Sequence, residues 1–234
     1  MARLLLLLGA VTIAAGCANG VAGVARPART AVTVLPSEDE MTSAVGNRLS
    51  SFGFRPFVGG LEIMPDGFRT DGDADPIGCI GVTDTMMRVT YEPSHVLEAA
   101  RQSYFNWNQG VDVSGADAAV VRLANADDAN RTFDRFVRQW QGCDGQTVVK
   151  HLRGVTNADV AAAVSDVAVS GPMLTATVST RQGPAAAASH YRRALAARGD
   201  TIVEVSLAVS DEAGSGDHAV RAAQAMLNKV RAGS

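Results

Sequence analysis

The sequence predicts a mixed fold in which helices pack on a β-sheet, and three stretches carry that prediction. Residues 126–141 place Ala129, Phe133, Phe136, Val137 and Trp140 at helical spacing, so one face of a helix is apolar and must lie on a sheet. Residues 191–207 read as a hairpin turning at Arg198-Gly199-Asp200, because Gly and Asp suit a tight turn between two strand-forming arms. A last helix over residues 216–231 carries Ala219, Val220, Ala223, Met226, Leu227 and Val230 on one face and closes the core.

The other elements follow in order. A helix begins after Leu35-Pro36, where Ser37 caps and Glu40 completes a capping box, and Gly46 ends it. Residues 61–75 are rich in turn residues and read as an exposed loop. Residues 85–91 have strand character until Pro93 interrupts. Residues 94–107 begin as a short turn and lead into a strand, and residues 118–123 form another strand ending at Asn125. Asn125 caps the amphipathic helix, Asp127 and Asp128 sit at its positive end, and Gly142 supplies a left-handed exit. Residues 147–152 and 174–180 alternate as strands.

A chain of 234 residues, 47% apolar and 19% charged, buries one sizeable core. Its net charge of −3 comes from 21 basic and 24 acidic side chains spread along the chain, which gives no field for nucleic acid. Only Lys150 and Lys229 are lysines, and the arginine bias with abundant Ala and Val resembles a GC-rich bacterial genome.

The first residues carry an address. Arg3 precedes an apolar run over residues 4–15, too short for the ~30 Å of hydrocarbon a spanning helix must cross. Small residues then precede Cys17, so residues 1–16 read as a signal peptide. Ala14-Ala15-Gly16-Cys17 resembles the bacterial lipobox, with Ala14 where Leu is usual. Acyl chains on Cys17, palmitate among them, at ~0.8 kcal/mol per buried CH₂, would hold the chain on the outer face of the cytoplasmic membrane. The other reading is that Cys17 leaves with the signal. Residues 17–34 read as the lipidated N-terminus and a flexible tether, and residues 35–234 as one folded domain.

Outside Cys17 the chain has Cys79 and Cys143, and export to an oxidising space predicts one disulfide between them. Neither belongs to a Cys-x-x-Cys or Cys-x-x-His unit, which argues against a metal pair. Asp71, Asp73 and Asp75 have calcium-loop spacing, but Pro76 stands where Gly is needed and Val82 where the bidentate Glu is needed. A solvated acidic turn is the better account.

These residues together resemble the extracellular sensor-domain family of mycobacteria, found at the C-terminus of PknH-type receptor kinases and in many lipoproteins. The matching pieces are the Leu35-Pro36 helix ending at Gly46, Cys79, Tyr91 with Ser94, residues 119–121 with 127–129, Trp140-Gln141-Gly142-Cys143, the hairpin and the final helix. The resemblance implies an α+β fold, an antiparallel β-sheet with packed helices, and a cleft for an unidentified ligand. It departs in having cysteines for one disulfide where the kinase sensor has two, so one wall of the cleft can differ. There is no kinase motif, so a signal must pass through a partner.

No nucleophile elbow, phosphate loop or dinucleotide glycine pattern occurs. His95, His151, His190 and His218 stand alone in sequence, and the Arg-Gly-Asp triplet reads as turn chemistry rather than an adhesion motif. The expectation is a lipid-anchored envelope ligand-binding or sensor domain without catalysis and without a cofactor. Arg101, Tyr104, Trp107 and Arg122 are its candidate cleft residues, the arginines pairing with an anionic envelope ligand. Expected partners are the membrane through the anchor and a small envelope ligand or a protein. The alternative is a structural or scaffold lipoprotein that acts through protein contacts.

Overall fold

The computed structural model describes residues 30–154, 157–210 and 217–231. The signal segment, Cys17 and the tether up to residue 29 lie outside the described residues, as does Gly216 at the expected start of the last helix.

The chain opens with α1 (Ala31–Val34) and α2 (Glu38–Val45), then β1 (Phe57–Gly59) and β2 (Ala74–Asp75). Two short helices, α3 (Ile80–Thr83) and α4 (Arg88–Tyr91), precede β3 (Val96–Phe105), β4 (Val113–Leu123) and α5 (Ala126–Cys143). Then come β5 (Thr147–Leu152), β6 (Ala158–Ser170), β7 (Met173–Arg181), β8 (Ser189–Arg198), β9 (Thr201–Val209) and α6 (His218–Arg231). The nine strands form one sheet in the order β1-β3-β4-β9-β8-β7-β6-β5-β2, and every pairing is antiparallel. The fold is α+β, as expected.

Strand alternation sends side chains to two separate cores. On one face α1, α2 and α6 pack against Ala100, Tyr104, Val120, Val203 and Val205. On the other, α3, α4 and α5 pack against Ala99, Val121, Leu174, Leu195 and Ile202. The amphipathic stripe of α5 lies on this second face, with Ala129, Phe136 and Trp140 buried. Asn125 caps it by accepting from the Asp128 amide at 2.9 Å, and the Cys79–Cys143 disulfide ties its far end to the segment before α3, with Cα atoms 5.7 Å apart. α2 has the expected capping box between Ser37 and Glu40, and Gly46 ends it at φ +83°.

Several local expectations change. Ala31 and Val34 are buried in α1, so the tether expected through residue 34 is shortened by a helical turn that belongs to the core. Residues 85–91 form no strand. They lie on the sheet's face, where no strand edge is offered, and satisfy their backbone locally through Thr90 N–H to Met87 and Glu92 N–H to Arg88. The loop over 61–75 is not wholly exposed, since Met64 and Ala74 are buried against the second core. Gly142 stays inside α5, and the left-handed glycine is Gly145 at φ +78°. β6, thirteen residues long, had no sequence signal strong enough to mark it, because Ala161-Ala162-Ala163 lacks β-branched bulk.

Asp71 and Asp73 belong to a turn, and Asp75 lies in β2 opposite Val149. The Asp73 carboxylate accepts from the Arg69 and Thr70 amides and the Thr70 hydroxyl, and these bonds hold its carboxyl below the ordinary value. Asp71 accepts from the Ile77 amide at 2.9 Å.

Candidate functional site

The second face of the sheet is covered by α5 at one end and left hollow at the other. Seven neighbouring strands each send one side chain into that hollow: Arg101 (β3), Asp117 (β4), Ser206 (β9), Tyr191 (β8), Thr180 (β7), Val160 (β6) and Lys150 (β5). Registers explain the convergence, for Asp117 pairs with Ser206 and Lys150 pairs with Val160, and paired residues share a face. Pro65 and Phe68 form one wall, and Thr83, Asp84, Thr85 and Met87 form the other. The cavity encloses about 490 Å³, within the size range of small-molecule sites.

Its charges are internally balanced. Lys150 Nζ lies 3.0 and 3.2 Å from the Asp84 carboxylate oxygens, and Thr83 donates to the same carboxylate at 2.7 Å. At the opposite end Arg101 Nη2 donates to Asp117 at 3.0 Å, and Ser103 also donates to Asp117. The lining therefore holds two cations and two anions already paired, interspersed with the hydroxyls of Thr85, Thr180, Tyr191 and Ser206. Such a surface offers donors and acceptors in alternation and no uncompensated charge.

The walls are fixed from inside and outside. On the same face as the floor, two residues along β9 from Ser206, Glu204 accepts from Tyr91 Oη at 2.7 Å and from the Met86 amide at 3.1 Å, which pins the 83–91 wall to β9. Outside, Arg69 bonds Asp66 and Glu92 while Arg88 reaches Asp66 and Glu92, tying the loop over 65–69 to α4.

The four expected cleft residues do not converge. Arg101 lines the cavity. Tyr104 belongs to the opposite core, where its hydroxyl donates to the Pro36 carbonyl and burial raises its pKa. Trp107 stands beyond β3, 75% exposed and stacked on Phe52 at 4.3 Å. Arg122 points to neither, and its guanidinium bonds Glu98 and Asp200. Both arginines carry carboxylate partners, which weakens the expectation of an anionic ligand. Sequence reasoning missed Asp84, Asp117, Lys150, Tyr191, Thr180 and Ser206. One signal was present: Lys150 is one of two lysines and sits inside an alternating strand.

The sequence matches the PknH-like extracellular domain family over residues 27–229. The chain belongs to that family. The PknH-like domain here is also similar to a solved structure, the extracellular domain of PknH from Mycobacterium tuberculosis. That likeness has a TM-score of 0.69 at 18% identity and covers 86% of this chain and 94% of that one. At this identity it shows a shared fold. No curated protein matches the sequence. Membership in a family of extracellular domains makes this PknH-like domain an exported one. Among the described residues no helix is long and apolar enough to cross a membrane.

Proposed function

We propose that this PknH-like domain is a lipid-anchored, non-catalytic binding module of the bacterial envelope, and that its ligand is compact, hydroxyl-rich and without net charge. One observation carries the reading: a cavity floored by one side chain from each of seven strands, in which Lys150 and Arg101 are matched by Asp84 and Asp117. An anionic ligand would have to displace those carboxylates, losing charge-assisted bonds to make similar ones. A diol bridges a paired cation and anion without breaking either, and Tyr191 and Phe68 offer aromatic faces to the apolar side of a sugar ring. Anchoring rests on the lipobox-like Ala14-Ala15-Gly16-Cys17.

The test is thermal-shift screening against neutral envelope glycans and, separately, anionic lipid headgroups. A neutral glycan should raise Tm in the wild-type chain and not in Ser206→Phe, which fills the floor. Stabilisation by anionic headgroups alone would overturn the ligand class, and no stabilisation at high occupancy would remove the small-molecule role. The alternative scaffold reading draws on a different feature, the exposed aromatics around Trp107.

A further inference from the structure

The β1–β3 edge of the sheet exposes four large aromatics in a chain that is only 5% aromatic: Phe52 (50% exposed) and Phe54 (66%) before β1, Phe57 (71%) on β1 opposite Arg101, and Trp107 (75%) just past the end of β3. Isolated apolar side chains on a surface need no explanation, but a cluster marks an interaction site. Phe52 stacks on Trp107 with ring planes 6° apart, and Phe105 approaches the same indole at 6.3 Å. Phe52 holds this position at φ +52°, a left-handed backbone unfavourable for an aromatic residue, before Gly53 at +77° completes the turn.

Two further observations say what covers the cluster. The first is charge. Arg48 and Arg55 are exposed in the same stretch, and Arg48 lines the hollow beside Trp107. The acid facing Arg48 is Glu38, whose carboxylate is engaged by Ser50 and Ser51. The second is where the chain enters. The Glu38 carboxylate accepts from the Ser51 amide at 2.7 Å, and the Pro36 carbonyl accepts from Tyr104, so the entering segment is bonded directly to the base of the aromatic loop. Twelve residues, 18–29, separate Cys17 from Thr30. At ~3.3–3.6 Å per residue they span no more than about 45 Å even when fully extended.

We propose that the Phe52–Trp107 end of the domain, flanked by Arg48 and Arg55, docks on the anionic membrane surface to which the chain is tethered. Aromatic side chains enter the headgroup region of a bilayer, and arginines beside them bury their stems while the guanidinium meets lipid phosphate. The short tether keeps the surface within reach of the bilayer, and docking would fix the orientation of the cavity. The proposal uses the anchor reading only for that proximity, because the aromatic surface exists with or without lipid on Cys17.

Trp107 reports on this directly, since the other tryptophan, Trp140, is fully buried. The full chain is mixed with excess vesicles of equal parts phosphatidylcholine and phosphatidylglycerol, with and without bromine on the upper acyl chains. Retention on the vesicles after flotation reads the anchor. Quenching of indole emission by brominated lipid reads docking, with Trp107→Phe as the blank. Docking predicts quenching in the wild type. Arg48→Gln/Arg55→Gln should weaken it by about 25-fold in lipid concentration, at about fivefold per arginine. Phe54→Ser/Phe57→Ser should weaken it by more than about tenfold. All four positions are exposed, so these variants should keep the wild-type circular dichroism. Retention without quenching overturns docking and leaves the anchor standing, and quenching without retention does the reverse. Equal quenching in the variants overturns the proposal. So does a shift of Trp107 emission with protein concentration in the absence of lipid, which would assign the surface to a second copy.

Discussion

Arg193 on β8 and Glu204 on β9 meet at 2.8 Å, and neither side chain exposes more than 1% of its surface. The pair is the hub between sheet and wall. Arg193 also donates to the Val82 carbonyl at 2.9 Å and lies 5.3 Å over the Trp140 ring, while Glu204 takes Tyr91 and Met86. Burial raises the Glu204 carboxyl above its ordinary value despite Arg193, and burial lowers Arg193 despite Glu204.

Breaking this pair from one side should cost far more than replacing it whole. Arg193→Met leaves a buried carboxylate without its cation and should destabilise by about 3–5 kcal/mol in urea unfolding. Arg193→Met/Glu204→Leu should recover most of that, because two well-packed apolar groups carry no desolvation penalty. Additive losses in the double variant would show that the pair is not coupled as its geometry requires.

The disulfide should be the largest single covalent contribution to stability. Closing a loop with a sequence separation of 64 restricts the unfolded chain by roughly 4 kcal/mol in the chain-entropy account. Urea midpoints measured with and without reductant should differ accordingly, and the unreduced denatured chain should show no reactive thiol from Cys79 or Cys143.

The two tryptophans should respond unequally to truncation. Trp140→Ala empties the junction of α5 and the sheet and should cost about 3–5 kcal/mol. Trp107→Ala removes an exposed ring stacked on Phe52 and should cost no more than about 1 kcal/mol. Thermal unfolding of both variants checks the contrast.

Acid should weaken the packing of α2 on α6. Burial pushes the Glu40 carboxyl up, but bonds from Lys229 and Ser37 outweigh it, so its pKa lies below the ordinary 4.5. A lowered carboxyl contributes stability that is present above 4.5 and is lost as pH falls through its folded value. Glu40 is 41% exposed, so the effect should stay under about 1 kcal/mol. Glu204 acts in the opposite sense, its raised pKa costing stability as pH climbs from 4.5 toward the folded value. Unfolding measured across a pH series should show Glu40→Gln flattening the acid limb alone.

The legible parts of the fold were those with local chemistry behind them. Ser37 with Glu40 and Asn125 with Asp128 declare helix starts through bonds made within three residues, and Gly199 at φ +55° declares the turn between β8 and β9. The α5 stripe declared a sheet it had to cover. The cavity declared nothing locally, because its floor draws one residue from each of seven strands separated by up to about a hundred positions, and registers that distant are set by packing. Tyr104 and Arg101 illustrate the gap. Three positions apart on β3, they fall on opposite faces, one in the far core and one on the cavity floor. Glu204 left a trace, a charge within Thr-Ile-Val-Glu-Val-Ser-Leu, but its partners Arg193 and Tyr91 are close to it only in the folded chain.

Native mass spectrometry of the protein purified from its own envelope reads the occupancy of the cavity. The wild-type chain should carry an additional neutral, hydroxyl-rich mass that Ser206→Phe, folded and anchored alike, does not carry. Identical spectra for the two, with an extra mass on both or on neither, would contradict the assignment of this cavity as the binding site.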